Sequence, residues 1–282
     1  MSSLTHSDPT AAKQASSSGS TSRQGGDNLL RSLYFSENGS NRLTRFIAAL
    51  YRGFWRGVWD EHDINAFVVR LYEQNDWFGS AEHNLQGFFP WEAELLHEHF
   101  DGCSSLVVGA AGGGREMIAA ARAGWRVEGF ECHPVLVQKC KEYLSQVGVS
   151  AEIFQAAPDE VPAHLPTYDA AIVGCGALGH IVGRSKRVKF LKDLKSHLKD
   201  GTPVLLSVGR RPEGSRYYKL IYQTARVMRL FRSSNSVEVG DDPFDLYTHR
   251  FTEAELHAEL RQAGFRVVKS VEGAEIYVVA GA

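Results

Sequence analysis

Short β-branched runs alternate with longer amphipathic stretches from residue 105 to residue 208, and this alternation constrains the fold of the 282-residue chain more than any other feature. The strand-like runs are 106–108, 126–131, 151–155, 168–174 and 203–208, and the main helical stretches between them are 115–123, 134–147 and 184–198. Strands that alternate with helices form βαβ units, in which the strands pair in parallel through right-handed crossovers. The pattern therefore predicts an α/β fold built on an open parallel sheet.

The last residues of the chain break this alternation. After a helical stretch over 253–263, the runs 265–270 and 275–280 are separated by only four residues, 271–274. A parallel crossover needs roughly a dozen residues or more, so these two strands are predicted to pair antiparallel as a hairpin.

The N-terminal third has a different character. Residues 1–28 are rich in Ser, Thr, Gly and Gln and are predicted to be a disordered tail, because they cannot bury enough apolar surface to offset the entropy of ordering. Apolar residues then recur at three- and four-residue steps, which predicts helices, including 64–72 and 91–100. Their aromatic residues are expected in the core; the alternative is that some of them cover a ligand pocket, namely Tyr72, Trp77, Phe88, Phe89 or Trp91. We divide the chain into this tail, a helical extension over 29–100, and a main domain over 101–282 with an insertion at 213–250.

Composition excludes several classes of protein. The 31 Lys and Arg residues against 33 Asp and Glu residues give a formal charge of −2, which excludes a polycationic DNA binder and an acidic solvating protein. No apolar run approaches the roughly eighteen residues of a membrane-spanning helix, and the layout of a secretory signal is absent. The four cysteines show neither CxxC pairing nor zinc spacing, so we expect a cytoplasmic protein with reduced thiols and no metal site.

A glycine-rich stretch over residues 109–114 separates the first apolar strand from its helix. Its small residues let a ligand approach the backbone, and the helix that follows offers free N–H groups at its positive end, although a simple tight turn would have the same composition. About twenty residues later, Glu131 ends the next strand, where its carboxylate can accept ribose hydroxyls. The glycine-rich stretch and Glu131 together predict a cofactor that contains a nucleoside. They do not distinguish a dinucleotide from S-adenosylmethionine.

The terminal hairpin distinguishes these two cofactors. From about Phe88 onward the chain resembles the class I S-adenosylmethionine-dependent methyltransferases, and the resemblance rests on VVGAAGGGRE, VEGFE, YDAAIVGCGALGHI, GTPVLLSV and HRFTEAELHAELRQAGFRVV. It implies a three-layer, Rossmann-like, seven-stranded and mostly parallel sheet that ends in an antiparallel C-terminal hairpin, with the N-terminal helices as an extension. It also implies methyl transfer with S-adenosylmethionine as the cofactor.

The resemblance assigns site residues as well. The methionine part of the cofactor would lie against Gly109, Ala110, Ala111, Gly112, Gly113 and Gly114. Glu131 would hold the ribose, Cys132 and His133 would flank the adenosine, and Ala156 and Ala157 with nearby Asp159 would border the adenine. Gly174, Cys175 and Gly176 would lie beside the sulfonium. Two positions depart from the family pattern: Val108 replaces an acidic residue of the first strand, and Ala110 replaces a glycine. The amino group of the cofactor therefore needs another acceptor, for which backbone carbonyls are one candidate.

His180 is the best-placed candidate for a general base, because it follows the strand whose end would face the methyl group and imidazole titrates near neutral pH. The alternative is a histidine that bonds a loop carbonyl, and His249 is a second candidate with a stronger structural alternative. Cys175 is better read as a small residue than as a nucleophile, since nothing nearby in the sequence would activate a thiolate.

The acceptor is predicted to be a small molecule methylated on oxygen or nitrogen. Residues 184–232 carry fourteen Lys and Arg against three acids, which indicates an anionic acceptor or, alternatively, a solvated helix face. Few aromatics interleave with these charges, and no Asp/Asn-Pro-Pro-aromatic or Pro-Cys motif follows the fourth strand, which argues against nucleic acid as a partner. A nicotinamide-dependent oxidoreductase, an RNA or protein methyltransferase, and a non-catalytic cofactor-binding protein stay open; the oligomeric state cannot be read.

Overall fold

The computed structural model describes residues 42–74, 77–230, 236–244 and 246–282, so the predicted tail lies outside the described residues. The main sheet has seven strands in the order β3-β2-β1-β4-β5-β9-β8, and β1 to β5 are parallel. Its strands are β1 (Ser105–Gly109), β2 (Arg126–Glu131), β3 (Glu152–Gln155), β4 (Ala170–Val173), β5 (Pro203–Gly209), β8 (Arg266–Glu272) and β9 (Glu275–Gly281). Two short strands, β6 (Asp241–Asp242) and β7 (Thr248–His249), pair with each other.

The helices follow the predicted order. They are α1 (Arg42–Val58), α2 (Glu61–Gln74), α3 (Ala81–Leu85), α4 (Pro90–His99), α5 (Arg115–Arg122), α6 (Pro134–Gln146), α7 (Arg184–Ser196), α8 (Arg216–Arg229) and α9 (Glu253–Gln262). The fourth strand is predicted over 168–174, and the structure has it over Ala170–Val173, which is shorter at both ends. At its carboxyl end, Cys175 and Gly176 take left-handed φ values of 52° and 74°, which turn the chain out of the sheet.

Helices cover both faces of the sheet, which explains why the central strands read as unbroken apolar runs. Every residue of β1 and β4 is buried. Side chains alternate between two cores: Val107 and Ala171 pack in one, and Leu106 and Ile172 pack in the other.

The C-terminal hairpin forms as predicted. β9 lies antiparallel between β5 and β8, with Ser207 paired to Tyr277, and the ladder to β8 shifts register between Val267 and Lys269. The fold prediction is therefore confirmed: a three-layer, mostly parallel seven-stranded sheet with an antiparallel C-terminal hairpin and helices preceding it.

The insertion after β5 packs against the second half of α1. Arg52 pairs with Asp242, and Arg56 pairs with Asp241 at 2.8 Å. A Cβ at Gly53 would lie 2.6 Å from the backbone oxygen of Ile221, so α1 and α8 approach too closely for a side chain there.

By compactness the chain divides into Met1–Ala48 and Ala49–Ala282, and the main sheet lies wholly in the second unit. The predicted domain boundaries at residues 28 and 100 stay predictions. Among the described residues, no helix has both the length and the apolar character needed to cross a membrane.

Candidate cofactor and active site

The loop between β1 and α5 lies at the carboxyl end of the central strand and contains most of the predicted cofactor residues. Ala110, Gly112 and Gly114 have left-handed φ values of 53°, 55° and 97°. A Cβ at Gly112 would meet nothing within 4 Å, so this glycine borders open space. The loop thus offers bare backbone to a ligand at Gly112.

Two glycines of the same loop are needed for packing. A Cβ at Gly113 would lie 2.5 Å from the side chain of Asn84, and one at Gly114 would lie 2.6 Å from the sulfur of Cys140. Packing therefore explains these two positions. The left-handed φ of 55° favours glycine at position 112 as well, but packing does not, and the space beside it is open.

Glu131 ends β2 next to this loop, and its buried carboxylate accepts three backbone N–H groups. One oxygen accepts from Gly112 at 2.9 Å, and the other accepts from Cys132 at 2.7 Å and His133 at 2.8 Å. A carboxylate has about four acceptor positions, so one remains for a hydroxyl group. The carboxylate also joins the glycine loop to the start of α6.

A small, open pocket lies beside Glu131. It brings together the predicted residues Ala110, Glu131, Cys132 and Ala157, and Glu160 lines it as well. Its floor is apolar, formed by Phe130, Val173, Leu178, Ile181 and Phe190. An apolar floor with the Glu131 and Glu160 carboxylates among its lining residues suits a flat heterocycle attached to a sugar. Of the predicted adenine neighbours, Asp159 pairs instead with Lys186 at 3.0 Å.

His133 lines a second pocket, which it shares with Tyr72, Ser80 and Lys139. The ring of Tyr72 lies 5.5 Å from that of His133. Burial raises the pKa of the Tyr72 hydroxyl, and the nearby Glu131 charge raises it further. Tyr72 therefore lies beside the candidate cofactor site, as the alternative reading of the N-terminal aromatics predicts. Trp91, by contrast, stacks on Tyr277 at 4.1 Å.

The carboxyl end of β4 faces the opposite side of the loop. The Gly176 N–H donates to Ser207 Oγ at 3.2 Å, and no atom lies within 4 Å of the position of a Cβ at Gly176. Cys175 is exposed as a residue, yet its Sγ lies 3.6 Å from Arg115 Nη2 and 3.7 Å from Glu116 Oε1. Desolvation of this sulfur and the Glu116 charge raise the pKa of the Cys175 thiol, which disfavours a thiolate nucleophile.

A buried charged cluster next to this strand end has no counterpart in the sequence prediction. Arg115 Nη2 donates to Glu92 Oε1 and to Glu116 Oε1, both at 2.6 Å, and the guanidinium stacks on the Phe89 ring at 3.9 Å. The adjacent Arg-Glu pair after the glycines was visible in the sequence, but Glu92 belongs to another helix and its pairing with Arg115 could not be read.

His180 bonds a loop carbonyl: its Nδ1 donates to the backbone oxygen of Tyr247 at 2.6 Å. Burial lowers the pKa of His180. No hydrogen bond joins Nε2 to a residue within the described ranges. The ring is thus anchored through Nδ1, and Nε2 keeps a lone pair. The role of His180 as a base stays a prediction. His249 is fully buried between Asp241 at 2.9 Å and Glu255 at 3.2 Å, which is a structural position.

Arg250 carries a guanidinium for which the described part of the chain provides no ion pair or hydrogen bond, and its Nε is shielded from solvent. Its Nη1 lies 3.5 Å from the position of a Cβ at Gly209, at the carboxyl end of β5. Its charge contributes to lowering the pKa of His180. Sequence reasoning missed Arg250 because it lies outside the basic segment.

Within the described residues, six of the fourteen basic side chains of the basic segment pair with acids. Its ion pairs are Lys186–Glu61, Arg187–Glu259, Lys189–Asp193, Lys199–Asp169, Arg210–Glu272 and Arg211–Glu255. This pairing favours the alternative interpretation, in which the segment is a set of helix faces with acidic neighbours.

Comparison with known proteins identifies the same region. Residues 107–201 match the family model of the methyltransferase domain. No curated protein matches the chain. Among solved structures, an S-adenosylmethionine-dependent methyltransferase from Methanosarcina mazei is similar at 17% identity, with a TM-score of 0.54, over 69% of this chain and 98% of that one. The Burkholderia thailandensis 1,6-didemethyltoxoflavin-N1-methyltransferase, solved with 1,6-didemethyltoxoflavin and S-adenosylhomocysteine bound, is similar at 16% identity and a TM-score of 0.54, over 79% of this chain and 91% of that one.

Proposed function

The chain carries a methyltransferase domain of the class I S-adenosylmethionine-dependent family, and on that premise we propose that it methylates an oxygen or nitrogen of a small, anionic acceptor molecule. The observation that carries the proposal is the convergence of the Glu131 carboxylate, the bare backbone at Gly112 and the apolar pocket at the ends of β1, β2 and β4. The similar Burkholderia enzyme, a 1,6-didemethyltoxoflavin-N1-methyltransferase, supports an acceptor of this size.

The residues present fit S-adenosylmethionine. The pocket beside Glu131 suits the adenine, and the remaining acceptor position of Glu131 suits a ribose hydroxyl. The bare backbone at Gly112 and Gly176 leaves room for the methionine part of the cofactor. When bound, this cofactor supplies a methyl group on a positively charged sulfur leaving group. The protein then has to align the acceptor atom with the carbon–sulfur bond and exclude water.

We assign the proton transfer to His180. The Nδ1–H bond to Tyr247 fixes the ring, and the lowered pKa keeps Nε2 unprotonated at neutral pH. Nε2 would take the proton of the acceptor hydroxyl or amine as that oxygen or nitrogen receives the methyl group that the bound cofactor would supply. Proton transfers of this kind typically contribute about 100- to 10,000-fold in rate.

We assign the recognition of a negative charge on the acceptor to Arg250. Its guanidinium is unpaired within the described residues and lies at the end of β5, near enough to His180 for its charge to affect the pKa of that ring. A partly shielded, unpaired guanidinium favours a carboxylate or phosphate, which it can bind through two parallel hydrogen bonds.

Calorimetry with S-adenosylhomocysteine and with NAD(H) tests the cofactor class. Binding of the first at micromolar concentration and of neither nicotinamide form supports methyl transfer, whereas the reverse result supports the oxidoreductase alternative. A panel of radiolabelled methyl-transfer assays with small phenols, amines and their carboxylated or phosphorylated forms then tests the acceptor. The Arg250→Gln variant is expected to lose the preference for anionic acceptors and to keep cofactor affinity. Transfer to RNA or protein, with none to small molecules, would refute the acceptor class.

A further inference from the structure

The cluster of Glu92, Arg115 and Glu116 carries an unbalanced negative charge. The exposed fractions of these residues are 0%, 1% and 6%. Arg115 pairs with both carboxylates, and within the described residues no second cation pairs with either of them. Two buried carboxylates with one cation are costly unless one of them is protonated or a further cation binds. Burial raises the pKa of Glu116, and the Glu92 charge adds to this, as expected for a carboxylate that lacks a full complement of positive charge.

Glu116 is the member of the cluster that reaches the candidate cofactor site. It lies in the first turn of α5, two residues after the glycine loop ends. Its Oε1 lies 3.0 Å from the position of a Cβ at Gly174 and 3.7 Å from Cys175 Sγ, at the carboxyl end of β4. Glu92 is wholly buried behind it and is held by both guanidinium nitrogens of Arg115.

The position of Glu116 matches one end of an elongated ligand. The pocket beside Glu131 contacts the loop at Ala110, at the ends of β1 and β2. S-Adenosylmethionine has the heterocycle and ribose at one end and an α-ammonium with an α-carboxylate at the other. If its adenosine occupied this pocket, the amino-acid end would lie along the loop toward the end of β4, beside Glu116 and Cys175.

The first strand offers no carboxylate for this ammonium, because the position holds Val108, which packs in the core at 1% exposure. We propose that Glu116 binds the α-ammonium of the cofactor in its place, with Arg115 and Glu92 as positioning residues; this rests on the cofactor proposed above. The ammonium brings the cluster to charge balance, and it forms a charge-assisted hydrogen bond in a site shielded from water.

The test compares three ligands by calorimetry on the full chain: S-adenosylhomocysteine, its analogue with hydrogen in place of the α-ammonium, and 5′-methylthioadenosine, which lacks the amino-acid part. For the wild type we expect the loss of the ammonium to weaken binding roughly 10- to 100-fold, the range of a hydrogen bond between charged groups. For Glu116→Gln we expect S-adenosylhomocysteine to bind no better than its deaminated analogue and 5′-methylthioadenosine to bind as in the wild type.

Two further variants separate recognition from folding. Glu116→Asp keeps the charge and should retain part of the preference for the ammonium. Glu259→Gln removes an equally buried carboxylate, from the pair with Arg187, and should lower stability while leaving the preference unchanged. If Glu116→Gln does not fold, the proposal is still tested by the ratio of the wild-type affinities for S-adenosylhomocysteine and its deaminated analogue, and by the same ratio in Glu116→Asp.

Two results would overturn the assignment of Glu116 and leave the proposed cofactor in place. One is a wild type that binds S-adenosylhomocysteine and its deaminated analogue equally. The other is a Glu116→Gln variant that still prefers the ligand with the ammonium. A wild type that binds none of the three ligands refutes the proposed cofactor itself and the assignment with it.

Discussion

Replacing Glu131 by Gln should destabilise the protein even without a cofactor, because the carboxylate holds three backbone N–H groups. A Gln has one acceptor oxygen. If this oxygen stays on Cys132 and His133, the amide nitrogen faces the N–H of Gly112, which now bonds Glu131 at 2.9 Å. The variant loses one hydrogen bond to a charged acceptor, and the other two become bonds to a neutral one.

A hydrogen bond to a charged group contributes about 1.5–3 kcal/mol and one between neutral groups about 0.5–1.5 kcal/mol. Combining the lost bond with the two weakened ones, we expect the free energy of unfolding to fall by about 3.5–6 kcal/mol. For a chain of this size, such a loss lowers Tm by roughly 7–24 °C. Urea denaturation followed by circular dichroism in the absence of cofactor measures it.

The matched control is Glu128→Gln on the same strand. Glu128 accepts the Tyr168 hydroxyl at 2.6 Å, a bond that the Gln carbonyl can still make, and its pair with Arg126 is exposed. The Tyr168 bond changes from a charged to a neutral acceptor, so we expect a loss of about 1–2 kcal/mol for this variant. Equal stability of Glu131→Gln and the wild type, or equal losses in both variants, would refute the account of Glu131 as the residue that joins the loop to α6.

Three other perturbations follow from the geometry. Gly113→Ala forces a Cβ to within 2.5 Å of Asn84 and should lower Tm more than Gly112→Ala. The Cβ of Gly112→Ala meets open space, so its cost is that of an alanine at a φ of 55°, about 1–2 kcal/mol, and it should also weaken S-adenosylhomocysteine binding in calorimetry. Burial alone would lower the pKa of His249, but the carboxylates that it hydrogen-bonds raise this pKa overall. The imidazolium therefore contributes its full stability below about pH 6.5, and this contribution is lost as the pH rises through the raised pKa. Urea midpoints measured from pH 6 to 9 should fall more steeply in the wild type than in His249→Gln. Gly53→Ala places a Cβ 2.6 Å from a backbone oxygen of α8 and should cost about 1–3 kcal/mol in the same denaturation assay, and an unchanged midpoint would contradict the close crossing of α1 and α8.

The sequence by itself determined the order and type of the elements. The periodicities that distinguish strands from helices are local, since residues two apart share a strand face and residues three or four apart share a helix face. The four residues between the last two strands were likewise sufficient to exclude a crossover, and β9 indeed pairs antiparallel with β5 and β8. The position of Glu131 beside the glycine loop followed from the parallel sheet, because neighbouring parallel strands end at the same edge.

Only the tertiary structure decided which charges have partners. Fourteen basic residues clustered in the sequence drew attention to 184–232, yet most of the ion pairs there join residues distant in the chain. Arg250, whose partly buried guanidinium has no ion pair within the described residues, lies outside that segment. The pairing of Arg115 with Glu92 and the anchoring of His180 by Tyr247 also span 23 and 67 residues. A charge count is a property of composition. Compensation of a buried charge depends instead on which group lies within about 4 Å of it. That distance is set by how the helices pack, and the order of the helices in the chain does not reveal which side chains meet.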